Sequence, residues 1–339
     1  MKYAKFLTLS IGCCAMLLSS HGQDLHFSQY FNSPLTTNPA NTGFIPDADY
    51  RLSAQYRNQW SAVMAIPYKT MSIAGDAQLF RDRIENGWLG AGAVVLSDVA
   101  GSGSLRSTKI YGSVAYHQML GNSSLLSAGF NLGWANKRID QSGLKFPDQF
   151  DGKFFDSNIP TAALLTTNNV SYFDMQVGMN YAYFPHENVY LNAGYSIHHV
   201  NKPKETFFGD NSETGIVPMR HIAFANALLK VHEKVIISPN VYFATQAKAT
   251  ELAGGILANY NLTEAGEKQL IAGLYYRHKD AAIPMLGFEI NNLRFTFSYD
   301  ATISTLNNFN NYRGATEFTL VKKGFYPQSA GRQAMCPQF

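Results

Sequence analysis

The side chains best suited to chemistry in this sequence are a few histidines and carboxylates near the ends of apolar stretches. His198 and His199 are adjacent, whereas Glu251, His278 and Asp280 are isolated. Neighbouring residues on a β-strand point to opposite faces, so a strand would keep the two histidines from chelating one metal ion. The sequence contains no GxSxG, HExxH, P-loop or CxxC pattern. We therefore expect that the protein is not an enzyme and that it has no metal site and no cofactor. An enzyme with a catalytic histidine at a loop is the weaker alternative.

The elements that would carry these residues alternate apolar and polar side chains over about ten positions. In one such stretch one face holds Tyr50, Leu52, Ala54, Tyr56 and Trp60, and the other holds Arg51, Ser53, Gln55, Arg57 and Gln59. A period of two is that of a β-strand. Strands of about 9–11 residues cross a bilayer when they are tilted as in a barrel. The pattern predicts an all-β fold, a single transmembrane antiparallel β-barrel in the outer membrane.

The composition agrees with a barrel. Charged residues make up 15% of the chain, against roughly 25% in ordinary soluble domains. Aromatic residues make up 13%, which suits girdles at two membrane interfaces. The net charge of +3 gives no support for nucleic acid as a partner. A soluble β-sandwich of this length would need two or three domains, and no Pro/Gly/Ser-rich linker separates any.

The alternation predicts fourteen strands, with twelve or sixteen as alternatives. The expected strands are 50–60, 67–79, 88–97, 105–117, 124–138, 171–184, 187–200, 220–231, 234–246, 249–261, 268–278, 281–291, 292–302 and 312–322. The longest connections, 139–170, 201–219 and 303–311, all follow odd-numbered strands. Barrels have short periplasmic turns and long outer loops. Both ends of the mature chain are therefore expected in the periplasm.

Charged residues on the inward parity of these strands predict a polar lumen. They are Arg51, Arg57, Asp174, Glu289, Arg294, Asp300 and Glu317. Buried charges need partners, so we expect ion pairs that brace the wall; a selectivity ring for a solute is the alternative. Residues 23–48, ahead of the first strand, are expected to pack in or across the periplasmic mouth, either as a stabilising plug or as a docking surface.

The two ends of the chain complete the predicted organisation. Lys2, Lys5 and the apolar run from Phe6 to Leu18 are typical of a signal peptide, with cleavage near Gly22-Gln23. The predicted divisions are a signal peptide (1–22), a periplasmic or plug segment (23–48), the transmembrane barrel (49–323) and a C-terminal tail in the periplasm or the lumen (324–339).

Three local motifs resemble those of one family. The first combines Phe27, Ser28, Gln29, Tyr30 and Asn32 with Asn38, Pro39, Ala40 and Gly43; the second is Tyr56, Arg57, Asn58, Gln59 and Trp60; the third is Cys336, Pro337 and Phe339. Together they resemble the PorP/SprF family of the Bacteroidetes type IX secretion system. The family ending is commonly Cys-Pro-Arg-Phe, whereas this chain has Gln338 in place of the arginine, which puts in doubt a role for that charge.

The resemblance implies a protein that assists secretion or surface anchoring. The implied partners are a secreted, adhesin-like cargo with a type B C-terminal sorting domain, and periplasmic and lipoprotein components of the type IX machinery. Outer-membrane lipid would surround the barrel. A porin or small-solute transporter is the alternative.

The long outer loops hold the residues that we expect to bind cargo. These candidates are Phe146, Phe150, Phe154, Phe155, Phe207 and Phe208. Aromatic side chains among polar ones are typical of interface cores. The alternative is that these rings pack the loops against one another and cap the lumen.

Overall fold

Alternating sequence stretches form the strands of this protein in its computed structural model. The structure describes residues 24–64, 66–101, 104–140, 144, 146–156, 159–161, 166–207, 215–263 and 266–327. The predicted signal peptide (1–22), Phe208 and the C-terminal motif of Cys336, Pro337 and Phe339 lie outside the described residues.

The described residues contain fourteen strands, as predicted. They are β1 (Tyr50–Gln59), β2 (Tyr68–Leu79), β3 (Gly87–Ala100), β4 (Leu105–Met119), β5 (Ser124–Arg138), β6 (Asn169–His186), β7 (Val189–His198), β8 (Arg220–His232), β9 (Val235–Gln246), β10 (Ala249–Asn261), β11 (Lys268–Arg277), β12 (Ala281–Ile290), β13 (Leu293–Thr302) and β14 (Arg313–Gly324). Short helices are α1 (Pro34–Thr37) and α2 (Asn307–Asn310).

Each strand pairs with its neighbours in sequence, and β1 pairs with β14 to close an antiparallel barrel. The connections 139–168 and 199–219 lie at the same end of the barrel. We call this end the outer rim, because long loops of such barrels are extracellular. The opposite end, the inner rim, holds the start of β1, the end of β14 and tight turns such as 187–188 and 291–292.

Burial separates the two faces of each strand. On β6, Phe173 and Met179 are exposed on the outside of the barrel, whereas Asp174, Gln176 and Asn180 are buried inside. On β13, Thr296, Ser298 and Asp300 are likewise buried inside. Exposed apolar side chains outside and buried polar ones within are the pattern of a barrel in lipid. No helix among the described residues is long and apolar enough to span a membrane.

The first strand is shorter than predicted. It ends at Gln59, and Trp60 takes a left-handed backbone conformation with φ 60°. The expectation that Trp60 continues the lipid-facing row of β1 is therefore wrong: the chain turns there, and the indole packs edge-on against Tyr68 with ring centroids 5.3 Å apart.

Candidate functional site: the filled lumen and the outer loops

Residues 24–49 fill the lumen, and we call this stretch the plug. At its start, the Asp24 amide donates to Gln246 Oε1 (3.0 Å) at the outer end of β9. At its end, the Asp49 amide donates to the Gly324 carbonyl (2.9 Å) at the inner rim. Helix α1 and two 3₁₀ turns fold the chain between these points. The sequence predicts that this segment packs in or across the periplasmic mouth. In the structure the plug extends further, into the outer half of the lumen.

Asn38-Pro39-Ala40 anchors the plug against the middle of the wall. Asn38 caps the 3₁₀ turn Pro39–Asn41, since its Oδ1 accepts from the Ala40 amide (2.8 Å). Its Nδ2 donates to the Met179 carbonyl on β6 (2.8 Å). Gly178 makes room for this contact: a Cβ there would lie 1.9 Å from Asn38 Oδ1. The side chain that forms the turn therefore also ties it to the wall.

Gly43 lets the plug approach β3 closely. Its φ is +68°, and a Cβ on it would lie 2.5 Å from the Gly90 Cα. The distance leaves no room for a side chain, and glycine adopts such a φ without steric cost. The Trp88 indole donates to the Gly43 carbonyl (2.9 Å), and the His117 ring stacks on Trp88 at 4.8 Å. Gly43 thus fixes the plug on the side of β3 and β4.

The aromatic residues of the first motif are apolar anchors. Phe27 is buried in a cluster with Leu35, Val94 and Tyr111. Tyr30 packs on Tyr242, with ring centroids 4.8 Å apart. Since the plug and the wall share these clusters, burial of apolar surface holds the plug in place.

Ser28 and Gln29 join the plug to a buried ionic network. Arg57 Nη1 donates to Ser28 Oγ (2.6 Å) and to Glu317 Oε2 (3.1 Å), and its Nη2 donates to Asp300 Oδ2 (2.8 Å). The amides of Ser28 and Gln29 donate to the two oxygens of Glu317, at 2.8 and 2.9 Å. The first two motifs of the sequence therefore meet at one place in the lumen.

Asn32 extends this network toward the inner rim. Its Nδ2 donates to Gln29 Oε1 (2.9 Å) and to Thr296 Oγ1 on β13 (3.1 Å). Asn32 and Gln29 are both buried, so their amide groups depend on these bonds in place of water.

The outer end of the plug is held by a second ionic group. Asp24 pairs with Lys109, and its Oδ2 lies 3.2 Å from His199 Nε2. The other ring nitrogen, Nδ1, lies 2.8 Å from Asp174 Oδ1. Burial disfavours the charged forms, but Lys109 and His199 hold the pKa of Asp24 well below its usual range, and hydrogen bonds to Asp174 and Asp24 raise the pKa of His199.

The prediction that His198 and His199 point to opposite faces is wrong. Both side chains are buried, with ring centroids 6.5 Å apart. β7 ends at His198, and His199 has a left-handed backbone with φ 58°. This turn directs the second imidazole inward, to the plug.

Ion pairs also close the inner end. Arg51 Nη2 donates to Asp76 Oδ2 (2.7 Å), and the Gly43 amide donates to the same oxygen (2.8 Å). Arg294 pairs with Glu289 (2.7 Å), and Lys323 pairs with Asp47 of the plug. The charges predicted for the lumen thus form contacts that brace the wall and hold the plug.

The second motif divides between the lumen and the outer surface. Arg57 is buried inside, whereas Tyr56 and Asn58 are half-buried on the opposite parity. Asn58 pairs in continuous register with Thr316 and Lys69, so no bulge occurs there. Gln59 accepts from Arg57 Nη2 at 3.4 Å. Arg57 is therefore the member of this motif that reaches the plug.

Aromatic side chains project from the connection between β5 and β6. Phe150, Phe154 and Phe155 are 48%, 73% and 50% exposed, while Phe146 is half-buried. Phe150 and Phe155 lie with ring centroids 5.2 Å apart. Asp151 Oδ1 accepts from the amides of Lys153 and Phe154, both at 2.7 Å, which shapes the turn that carries Phe154. These rings form an exposed apolar surface, which we call the phenylalanine patch.

The two long outer loops are joined to each other. The amides of Thr166 and Thr167 donate to the Phe207 carbonyl, at 2.9 and 3.2 Å. Lys137 at the end of β5 pairs with Glu205 (2.6 Å). Phe207 is half-buried. It takes part in the contact between the two loops and is not a member of the phenylalanine patch.

The lumen is built for binding a segment of its own chain. Many of its polar groups form hydrogen bonds and ion pairs between plug and wall. Among the described residues, no group of three or more His, Cys, Asp or Glu side chains could hold a metal ion. These contacts hold the plug in the lumen.

Several residues that hold the plug are not among those that the sequence motifs indicate. Asp24, Lys109 and Asp76 form ion pairs, while Gly90 and Gly178 give space. Gly178 lies on the inward parity of β6, between Gln176 and Asn180. A glycine in a row of inward polar residues is a signal that could have indicated close approach by another segment.

A closed barrel with an apolar outside, a polar inside and a folded plug defines this protein as a β-barrel membrane protein with a filled lumen. Within that class its family is shown by sequence. The chain belongs to the type IX secretion system membrane protein PorP/SprF family, whose sequence model matches residues 19–321. No curated protein sequence matches the chain significantly. Family and fold together indicate an outer-membrane location.

Solved structures with a similar fold are barrels of low sequence identity. The toluene transporter TodX of Pseudomonas putida has a TM-score of 0.51 at 10% identity, with 86% of this chain and 92% of that chain covered. The TodX monoaromatic hydrocarbon channel deltaS2 mutant has a TM-score of 0.53 at 12% identity, with 86% and 93% covered. At such identities the similarity extends to the fold alone.

Proposed function

We propose that this protein is a non-enzymatic outer-membrane barrel that assists secretion or surface anchoring of a cognate type IX cargo by binding it. Membership of the PorP/SprF family supports a role in this secretion pathway. The cargo would carry a C-terminal sorting domain and would be held at the outer rim. The inner rim, where β1 begins and β14 ends, would face periplasmic and lipoprotein components of the machinery.

The observation that carries the proposal is the phenylalanine patch. Phe154 is 73% exposed and the neighbouring rings are about half exposed. Exposed apolar patches rimmed by polar residues mark interaction sites, and aromatic residues are enriched in interface cores. Asp148, Asp151 and Lys153 are exposed polar residues next to these phenylalanines in the sequence.

The filled lumen favours a binding scaffold over an open pore. The plug contacts the wall from Asp24 near the outer rim to Asp49 at the inner rim. An ion path would have to pass the buried pairs of Arg57 with Asp300 and Glu317. A protein that binds cargo at its surface has no need for an open channel.

The test is affinity purification of the tagged barrel from native outer membrane, comparing the wild type with a loop-deletion variant. Arg138 and Asn169 are cross-strand partners, so 139–168 can be replaced by a two-residue Asn-Gly turn that suits a hairpin. We expect a large secreted protein to co-purify with the wild type and to be lost from the variant, while the variant still migrates as a folded barrel on gels. Equal recovery of cargo by both proteins would contradict binding at this loop.

A small-solute transporter is the second candidate, and an internal cavity favours it. The cavity has a volume of about 240 Å³ and lies between the plug and the wall, lined by residues such as Phe31, Tyr190 and Asn259. The two functions differ in planar bilayers. A scaffold with a seated plug gives almost no conductance, whereas a transporter for water-soluble solutes gives steady single-channel currents.

A further inference from the structure

The barrel wall has a gap in its hydrogen bonding between β8 and β9. Asn226 pairs with Asn240, and Leu229 pairs with Ile237, but the two positions between them are not paired. Pro239 occupies one of these positions and has no amide hydrogen to donate. Proline is rare in central strands for this reason. The gap comprises positions 227–228 of β8 and 238–239 of β9, in the inner half of the barrel wall.

A groove opens on the lipid-facing side of this gap. Its volume is about 650 Å³, and it is widely open toward the lipid. Small side chains create the depression, namely Ala193, Ala225 and Ala227, and larger ones border it, including Tyr181, Tyr183, Leu191 and Val241. The groove therefore has the dimensions and the apolar lining that suit an acyl chain.

The groove backs onto the internal cavity. The same four residues line both spaces: Asn192, Asn226, Ala227 and Asn240. These four residues therefore form part of the wall between the lipid-facing groove and the lumen. The groove is thus a thinning of the wall with polar residues at its base.

A chain of side-chain amides runs from the base of the groove to the plug. Asn226 Nδ2 donates to Asn192 Oδ1 (3.3 Å), and Asn192 Nδ2 donates to Asn180 Oδ1 (2.6 Å). Asn180 Nδ2 then donates to Asn41 Oδ1 of the plug (2.9 Å). In each of these bonds the Nδ2 of one asparagine donates to the Oδ1 of the next. Asn226 is the first residue of the chain, so its own Oδ1 accepts no bond from it. This oxygen is buried and has no hydrogen-bond partner among the described residues.

We propose that the groove between β7 and β9 binds a single-chain lipid from the bilayer that carries a neutral hydroxyl head group. The acyl chain lies over Ala193, Ala225 and Ala227. The hydroxyl enters the gap beside Pro239 and donates to Asn226 Oδ1, after a rotation of the amide toward the groove. A buried acceptor without a partner is unfavourable, and a hydroxyl satisfies it without adding charge to the wall. This site is separate from cargo binding at the outer rim.

The proposal is tested by photolabelling the purified barrel in lipid nanodiscs with hexadecanol that carries a mid-chain diazirine. Hexadecane with the same diazirine is the reference probe. We expect the alcohol to label peptides of β7 to β9 in preference to the rest of the wall. The Ala225→Trp variant fills the groove and should lose this labelling. Ala272→Trp, at an exposed position on β11, is the matched control and should keep it.

A second variant separates the hydroxyl contact from the groove. Asn226→Leu keeps the approximate volume of the side chain but removes the acceptor. Half-saturation by the alcohol should shift about threefold to tenfold upward, the effect of one lost hydrogen bond, while labelling by the alkane stays the same. Uniform labelling around the barrel, or labelling that Ala225→Trp leaves unchanged, would overturn the proposal. Ala225→Trp changes the lipid-facing side of the wall and leaves the chain of asparagine amides intact. Its effect on labelling therefore tests the proposal even if Asn226→Leu does not fold.

Discussion

Arg57 on β1 and Asp300 on β13 form an ion pair of 2.8 Å inside the barrel, although β14 lies between their strands. Both side chains are almost completely buried. Ser28 of the plug donates to Asp300 Oδ2 (2.9 Å) and accepts from Arg57 Nη1 (2.6 Å). This pair of wall residues therefore shares its hydrogen bonds with a residue of the plug.

Arg57→Met should destabilise both the barrel and the plug. The substitution leaves Glu317 buried without its guanidinium partner. Breaking a buried ion pair from one side costs about 3–5 kcal/mol. The free energy of unfolding in detergent, measured by urea titration, should fall by that amount. Arg106→Met changes an exposed arginine of β4 and is the matched control, for which we expect a change within about 0.5 kcal/mol. Equal effects of the two substitutions would show that Arg57 has no special part in stability.

Gly178→Ala should displace the plug. A Cβ at this position would lie 1.9 Å from Asn38 Oδ1, so the Asn38 side chain has to leave its place on β6. Overpacking of this kind costs about 1–3 kcal/mol. Conductance in planar bilayers should rise from near zero to frequent openings. Gly112→Ala, where no atom lies closer than 4.0 Å, should stay silent. A silent Gly178→Ala protein of unchanged stability would show that the plug tolerates this displacement.

Retention of the plug should weaken as the pH falls from about 6.5 to about 4. Glu251 raises the pKa of His26, but burial and the guanidinium groups of Arg277, Arg57 and Arg220 lower it from 6.5 to about 4. A released plug therefore binds a proton at His26 more readily than the seated one, so release becomes more favourable as the pH falls from 6.5 to about 4. Above pH 6.5 the imidazole is neutral in both states, so His26 does not oppose seating there. Protease cleavage within residues 24–49 should become faster over this pH range.

His26→Gln removes the titrating group and should flatten this part of the pH dependence. His232→Gln, at an exposed position at the inner end of β8, should leave it unchanged. Cleavage that increases equally in all three proteins at low pH would assign the effect to other groups.

Phe154→Ser should weaken cargo binding without weakening the barrel. The side chain is 73% exposed, so its removal leaves the fold intact, whereas an aromatic ring at an interface centre contributes about 2 kcal/mol or more by the usual pattern of hot spots. We expect a loss in affinity of about thirtyfold for the isolated sorting domain of the cargo. Phe309→Ser removes a ring that is 76% exposed on the outer loop between β13 and β14 and is the control. If both variants bind the cargo as the wild type does, the phenylalanine patch is not the binding surface.

Much of the barrel follows from the alternation of its residues. A period of two determines which side chains face lipid, and it predicts that Asp174, Asp300 and Glu317 face the lumen, where all three are buried. The strand count and the closed antiparallel order follow from the same pattern, since short turns leave little choice of partner. The ends of strands are less predictable: a left-handed residue such as Trp60 or His199 turns the chain without interrupting the sequence pattern.

The depth of the plug could not be predicted, for a physical reason. Asn38-Pro39 and Gly43 indicate turns, but a turn residue carries no information about the distant partner that it contacts. Contacts such as Asn38 to Met179 and Asp24 to Lys109 join parts of the chain that only barrel closure brings together. The glycines that make room for the plug are spread over several strands, so no single stretch of sequence shows them together.

The plug and the seam that closes the barrel are joined by hydrogen bonds. The seam between the first and last strands is β1 with β14. Gln29 accepts from Gln55 Nε2 of β1 (3.3 Å) and donates to Glu317 of β14 (2.9 Å), so it touches both sides of that seam. A barrel that closed first would leave no way in for the plug except through its mouths. The N-terminal segment is therefore expected to act as an internal template, around which the two edge strands find their register while the chain inserts into the membrane.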